Sequence, residues 1–228
     1  MLPYIILMAL KIRYNSPVVL TFSLICIAVY VIDLVFSIGS APNTVGPVTR
    51  QFFTLSGIFD WGNPLDYLRL FTYSMGHANQ AHIMGNMSIF LLIAPIMEEK
   101  YGSRQILLMM LATALITGFF QILLFDTALL GASGIVFMFI VLVSFANVQK
   151  GSIPLTFILV VLFFIGQEII HSLQTNNVSE YAHIMGGVMG GIFGATMKRK
   201  KYVEEFTDND HLIADTGVEN NSSSTTNL

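Results

Sequence analysis

Residues 105–125, QILLMMLATALITGFFQILLF, run for 21 positions without an Asp, Glu, Lys or Arg. A helix needs about 20 apolar residues to cross some 30 Å of hydrocarbon, so this stretch alone is long enough to span a bilayer. Residues 70–97 and 127–149 are equally free of those four residue types. Over the whole chain of 228 residues, 54% are apolar and only 11% charged, against about 25% charged in a soluble domain. A water-soluble enzyme is therefore excluded. The basic residues form no patch interleaved with aromatics, so nucleic acid is not an expected partner. Cys26 is the single cysteine and rules out an intrachain disulfide.

Working outward from that segment, length and charge boundaries predict six spans at about 17–36, 82–97, 105–125, 133–149, 153–172 and 181–197. Residues 1–16 read as an interfacial N-terminal segment, since the apolar run 1–10 is too short to span and lacks a small-residue cleavage site before Lys11 and Arg13. Residues 198–228 are polar and end in a Ser/Thr/Asn run, the composition of a disordered tail. Between the first two spans, residues 37–76 mix Gly, Pro, Asn and aromatics, and are expected to lie partly in the interface. Six spans put Lys11, Arg13, Lys100, Arg104, Lys150, Lys198, Arg199, Lys200 and Lys201 on one side and only Arg50 and Arg69 on the other. That asymmetry places both termini in the cytoplasm. The fold class expected is an all-α membrane protein, a bundle of six transmembrane helices.

Ionisable or strongly polar residues inside such spans need a reason, because the hydrocarbon penalises them by a few kcal/mol unless they are paired or face water. Asp33, His77, His82, Asn86, Glu168, His171 and His183 are the residues to explain. Gly131-Ala132-Ser133-Gly134 opens the fourth span. A serine at a helix start sits in the positive field of the N-terminus, where a nucleophile and the oxyanion it creates are both favoured. The same serine would equally serve as an N-cap or a small packing contact. His183 lies at the matching end of the sixth span, among small residues at four-residue intervals, one series Ala182, Gly186, Gly190 and Gly194 and a second Gly187, Gly191 and Ala195, that permit close helix approach. Close approach is what a serine and an imidazole on two helices require to meet at about 3 Å. His82 and Asn86 share one helical face and either donate into an oxyanion hole or hydrogen-bond a neighbouring helix; His77 reads as a structural histidine in the preceding loop.

These pieces resemble the rhomboid intramembrane serine proteases. His82-Ile83-Met84-Gly85-Asn86, Gly131-Ala132-Ser133-Gly134 and Ala182-His183-Ile184-Met185-Gly186 are similar to that family's three motifs and occur in its order, over about residues 17–197. The resemblance implies Ser133 as nucleophile and His183 as its general base, with His82, Asn86 and the Ser133 backbone N–H holding the oxyanion. It also implies structural support from Glu98, Arg69 and Phe137. In two places the chain departs from the family pattern: Leu68 stands where a tryptophan is expected, and Phe137 where many members carry a tyrosine against the histidine.

The expected activity is hydrolysis of peptide bonds within or beside transmembrane segments of membrane-protein substrates, through an acyl-enzyme and with no metal or other cofactor. The connection at 173–180 is the expected gate, and the expected location is a multi-pass protein of a bacterial inner membrane. A non-catalytic binding or quality-control protein of the same fold is the alternative. Glu168-x-x-His171 and Glu180-x-x-His183 match a di-iron spacing, but the two further inward glutamates are missing. Asp33 and Asp126 lack the Gly-x-Gly-Asp setting of an aspartyl site.

Overall fold

A computed structural model describes residues 14–37, 44–145 and 180–197, with isolated helical positions between 155 and 166. Seven continuous α-helices follow in order among the described residues: α1 (Pro17–Phe36), α2 (Pro47–Phe52), α3 (Pro64–Thr72), α4 (Gln80–Tyr101), α5 (Ser103–Leu124), α6 (Ser133–Phe145) and α7 (Glu180–Thr196), with a 3-10 turn at Tyr73–Met75 between α3 and α4. Among the described residues, α1, α4 and α5 are long and apolar enough to cross a membrane. At 1.5 Å per residue their 20 to 22 residues reach about 30 to 33 Å. The second span is longer than the expected 82–97, by two residues at its start and four at its end; it starts at Gln80 because Asn79 caps it, the Asn79 side chain accepting from the His82 N–H at 2.9 Å. At its other end α4 passes into α5 through Gly102 alone, at φ 90°, a conformation glycine adopts without penalty. The fourth span is described to Phe145, and the expected fifth span, Glu168, His171 and the 173–180 connection lie largely or wholly outside the described residues.

Two buried carboxylates organise the helix ends. α1 opens Ser16-Pro17-Val18-Val19 and its own N-cap side chain makes no capping bond. Glu98 of α4 supplies the cap instead, its two oxygens accepting from Val18 N–H at 3.1 Å and Val19 N–H at 2.9 Å. The pattern repeats at α2, which opens Gly46-Pro47-Val48-Thr49. There Asp33 of α1 accepts from Val48 N–H at 2.8 Å and Thr49 N–H at 2.9 Å. In each case proline occupies the position whose N–H needs no partner, and the negative charge meets the positive end of a helix dipole. The polar residue predicted to need a reason within the first span, Asp33, thus has one.

The segment from 44 to 76 is folded against the bundle. Leu55 and Leu129 exchange both backbone hydrogen bonds at 2.9 Å, so the loop before α6 is paired with the loop between α2 and α3. This satisfies irregular backbone that hydrocarbon would penalise. Arg69, expected as support, pairs with Asp66 and donates from Nε to the Gln51 carbonyl at 2.9 Å, tying α3 to α2. Leu68 is exposed, and Phe59, Trp61 and Tyr67 make edge contacts nearby at 4.7 to 6.5 Å between ring centres.

Candidate active site

The site is built where α6 meets α7. A Cβ on Gly186 would stand 2.0 Å from the Gly134 carbonyl oxygen, and one on Gly190 2.3 Å from that of Met138. The two backbones are therefore in direct contact along the stripe read from the sequence, as small residues at such spacing allow. The second series, Gly187 and Gly191, is looser, with the nearest atoms at 3.6 and 3.8 Å. The tight stripe begins at the site itself, since Gly134 follows Ser133 and the Ala182 preceding His183 presents its carbonyl oxygen 3.1 Å from where a Gly134 Cβ would lie.

Ser133 is the first residue of α6, so its N–H belongs to the turn that has no intrahelical partner. Phe137 lies one turn further along the same face. Its ring is stacked on the His183 imidazole at 4.3 Å between centres and 3° between planes. The contact expected at position 137 is thus made by the phenyl face without a hydroxyl, and it sets the imidazole along the face of α6 that carries Ser133. Both Ser133 and His183 are half-buried.

His82 and Asn86 reach the same place from α4. Gly131, at φ 118°, accommodates them: a Cβ there would be 2.7 Å from His82 Nε2 and 3.8 Å from Asn86 Nδ2. Asn86 is buried and its Nδ2 has no hydrogen-bond partner among the described residues. A backbone N–H can only donate, and the Ala78 N–H meets His82 Nδ1 at 3.4 Å, so that nitrogen is the acceptor and the proton of the neutral ring is on Nε2. Two N–H donors therefore converge beside the backbone that leads into Ser133. His77 packs edge-on to His82 with ring centres 5.1 Å apart. Burial, and then the neighbouring His82, push its pKa down to about 4.

The fold thus brings together Ser133, His183, Phe137, His82, Asn86 and His77; Glu98 and Arg69 act elsewhere, as a helix cap and a loop tie. Sequence reading missed the carbonyl of Tyr73, which accepts from the Gly131 N–H at 2.9 Å and holds the loop before Ser133. A main-chain acceptor carries no side-chain signal. It also missed the role of Asn79, although an Asn three residues before a polar helical position is a recognisable cap.

Residues 64–200 match the family model of the rhomboid domain, a stretch that includes α3 through α7 and every residue of the site. The chain belongs to the rhomboid family. It is also 26% identical over 129 residues to the rhomboid protease GlpG of Haemophilus influenzae, covering 55% of this chain and 67% of that protein. With membership of that family and three membrane-length apolar helices, this rhomboid is an integral membrane protein.

Proposed function

We propose that this rhomboid is an intramembrane serine endopeptidase that cleaves membrane-protein substrates within or near their transmembrane segments, with Ser133 as nucleophile and His183 as general base. The observation that carries this reading is the buried, unpartnered Asn86 Nδ2 beside Gly131. A buried donor left without an acceptor costs about 1–3 kcal/mol, and a site that retains one is built to receive an oxygen. The oxyanion of a tetrahedral intermediate on Ser133 is that oxygen, and His82 Nε2–H and the Ser133 N–H complete its shell. His183 removes the hydroxyl proton as Ser133 attacks the carbonyl carbon, then returns it to the leaving amine; water hydrolyses the acyl-enzyme by the same path in reverse. Phe137 fixes the imidazole plane, a task that the triads of soluble proteases give to a carboxylate.

In this reading residues 17–197 form a six-span catalytic domain between an interfacial segment at 1–16 and a polar cytoplasmic tail at 198–228. Both termini are cytoplasmic, in a bacterial inner membrane, and the site opens to the opposite side. The match to a bacterial protein named as a protease supports the activity and the location. The alternative, a rhomboid fold that grips transmembrane helices without cutting, gives no use to an orphaned donor next to a serine and an imidazole. Purified chain in detergent, incubated with a model single-span substrate, decides between them. Cleavage by the wild type that is lost in Ser133→Ala and in His183→Ala is the expected result, and equal cleavage by all three rejects the dyad.

A further inference from the structure

The strap from Tyr73 to Ala78 touches both halves of the proposed oxyanion hole. The Tyr73 carbonyl accepts from Gly131 N–H at 2.9 Å, fixing the loop ahead of Ser133. At the other end, Ala78 N–H donates to His82 Nδ1 at 3.4 Å. Between them His77 Nδ1 lies 3.3 Å from the Met75 carbonyl. A carbonyl can only accept, so His77 carries its proton on Nδ1, and its Nε2 is a bare acceptor. That acceptor is buried and has no partner among the described residues. The hydrogen bond of the ring thus runs from Nδ1–H to the Met75 carbonyl, within its own strap, while the desolvated Nε2 detracts from whatever stability that bond adds.

We infer that His77 is a positioning residue. By holding its own strap through Met75, it aims the Ala78 N–H at His82 and so keeps the His82 proton on Nε2, toward the reacting oxygen. The inference rests on the oxyanion role proposed for His82, but its structural half concerns a tautomer and can be read without any substrate. At metal centres, groups that orient a ligating imidazole through its second nitrogen are typically worth about 10- to 100-fold in affinity or activity, and an effect at the lower end is expected for His82.

The test uses the full chain in detergent micelles, with nitrogen-15 in its histidines and the His82 signals assigned by their absence in His82→Gln. In the wild type His82 is expected as the Nε2–H tautomer. His77→Phe keeps an aromatic ring but loses the bond to Met75, and is expected to move His82 to a mixture of tautomers. It should lower kcat about 10-fold with KM unchanged. His77→Asn, which places an N–H donor at the same distance along the side chain, is expected to restore the tautomer and most of kcat. An unchanged His82 tautomer in His77→Phe overturns the inference, whether or not kcat and melting temperature fall together. A tautomer shift in a chain that cuts no substrate would uphold the strap and reject the protease reading, so the two fail separately.

Discussion

Two groups of buried polar side chains lie within the bundle, and they differ in how completely they are hydrogen-bonded. Glu98 and Asp33 carry the greater charge, yet each has both oxygens engaged by backbone N–H groups at a helix start. Asn86 and His77 are neutral, and each keeps one buried nitrogen without a partner among the described residues. Charge is thus no guide to which polar residue does chemistry, and an unmet hydrogen-bonding group is a guide only beside the candidate site, since Thr49, Thr117 and Gln121 carry one elsewhere. The carboxylates complete their own interactions and hold α1 to α4 and α2 to α1. The Asn86 amide waits beside the backbone that leads into Ser133, where an oxygen develops charge during the proposed reaction, whereas the bare His77 Nε2 is an acceptor and has no part in holding that oxygen.

The comparison can be broken from either side. The largest effect expected is on catalysis: Asn86→Ala should reduce kcat by about 10²- to 10³-fold, or roughly 2.7–4 kcal/mol of transition-state stabilisation. Its melting temperature should fall only by what the small cavity left by the carboxamide costs, because Nδ2 made no bond among the described residues. A larger loss of stability would put Asn86 with the carboxylates. Next, Gly186→Ala places a methyl 2.0 Å from a backbone oxygen, and overpacking of this kind costs about 1–3 kcal/mol. Thermal unfolding in detergent should report a value at the upper end, since neither backbone can move without parting α6 from α7.

Glu98→Gln should cost about 1–3 kcal/mol, because one of the two N–H groups of α1 then faces another donor. Molecules that remain folded should cleave substrate at the wild-type rate, and a drop in kcat per folded molecule would contradict the division drawn above. The smallest effect concerns pH. His77 has a pKa of about 4 in the folded protein against an ordinary 6.5, so the unfolded chain binds more protons between those values. Stability contributed by neutral His77 is therefore lost as pH falls from about 6.5 towards 4. His77→Phe should flatten that part of the profile of unfolding midpoint against pH, and an unaltered slope would mean that His77 is not buried as described.

Much of this was legible in the sequence. The uncharged run at 105–125 contains most of α5, and the four-residue spacing after Ala182 is the stripe that contacts α6. Ser133, His183, His82 and Asn86 could be named because each is a polar group at a helix end in an apolar chain. Phe137 was expected against the histidine and stacks on it. What the sequence did not disclose was carried by the main chain: the Leu55–Leu129 pairing, the Tyr73 carbonyl on Gly131 and the Ala78 N–H on His82. A main-chain donor or acceptor leaves no residue-type signature, whether its partner is another backbone group or, as at His82, a side chain. The capping role of Asp33 was hidden for a related reason, since its partners lie on a different helix 15 residues away.

The central claim is that Ser133 is a nucleophile activated by His183. Labelling with a fluorophosphonate, followed by mapping of the modified peptide, tests it without any knowledge of the natural substrate. The account predicts a single adduct on Ser133 in the wild type, abolished in Ser133→Ala and strongly slowed in His183→Ala. Labelling of another residue, or labelling of Ser133 at an undiminished rate without His183, would contradict it.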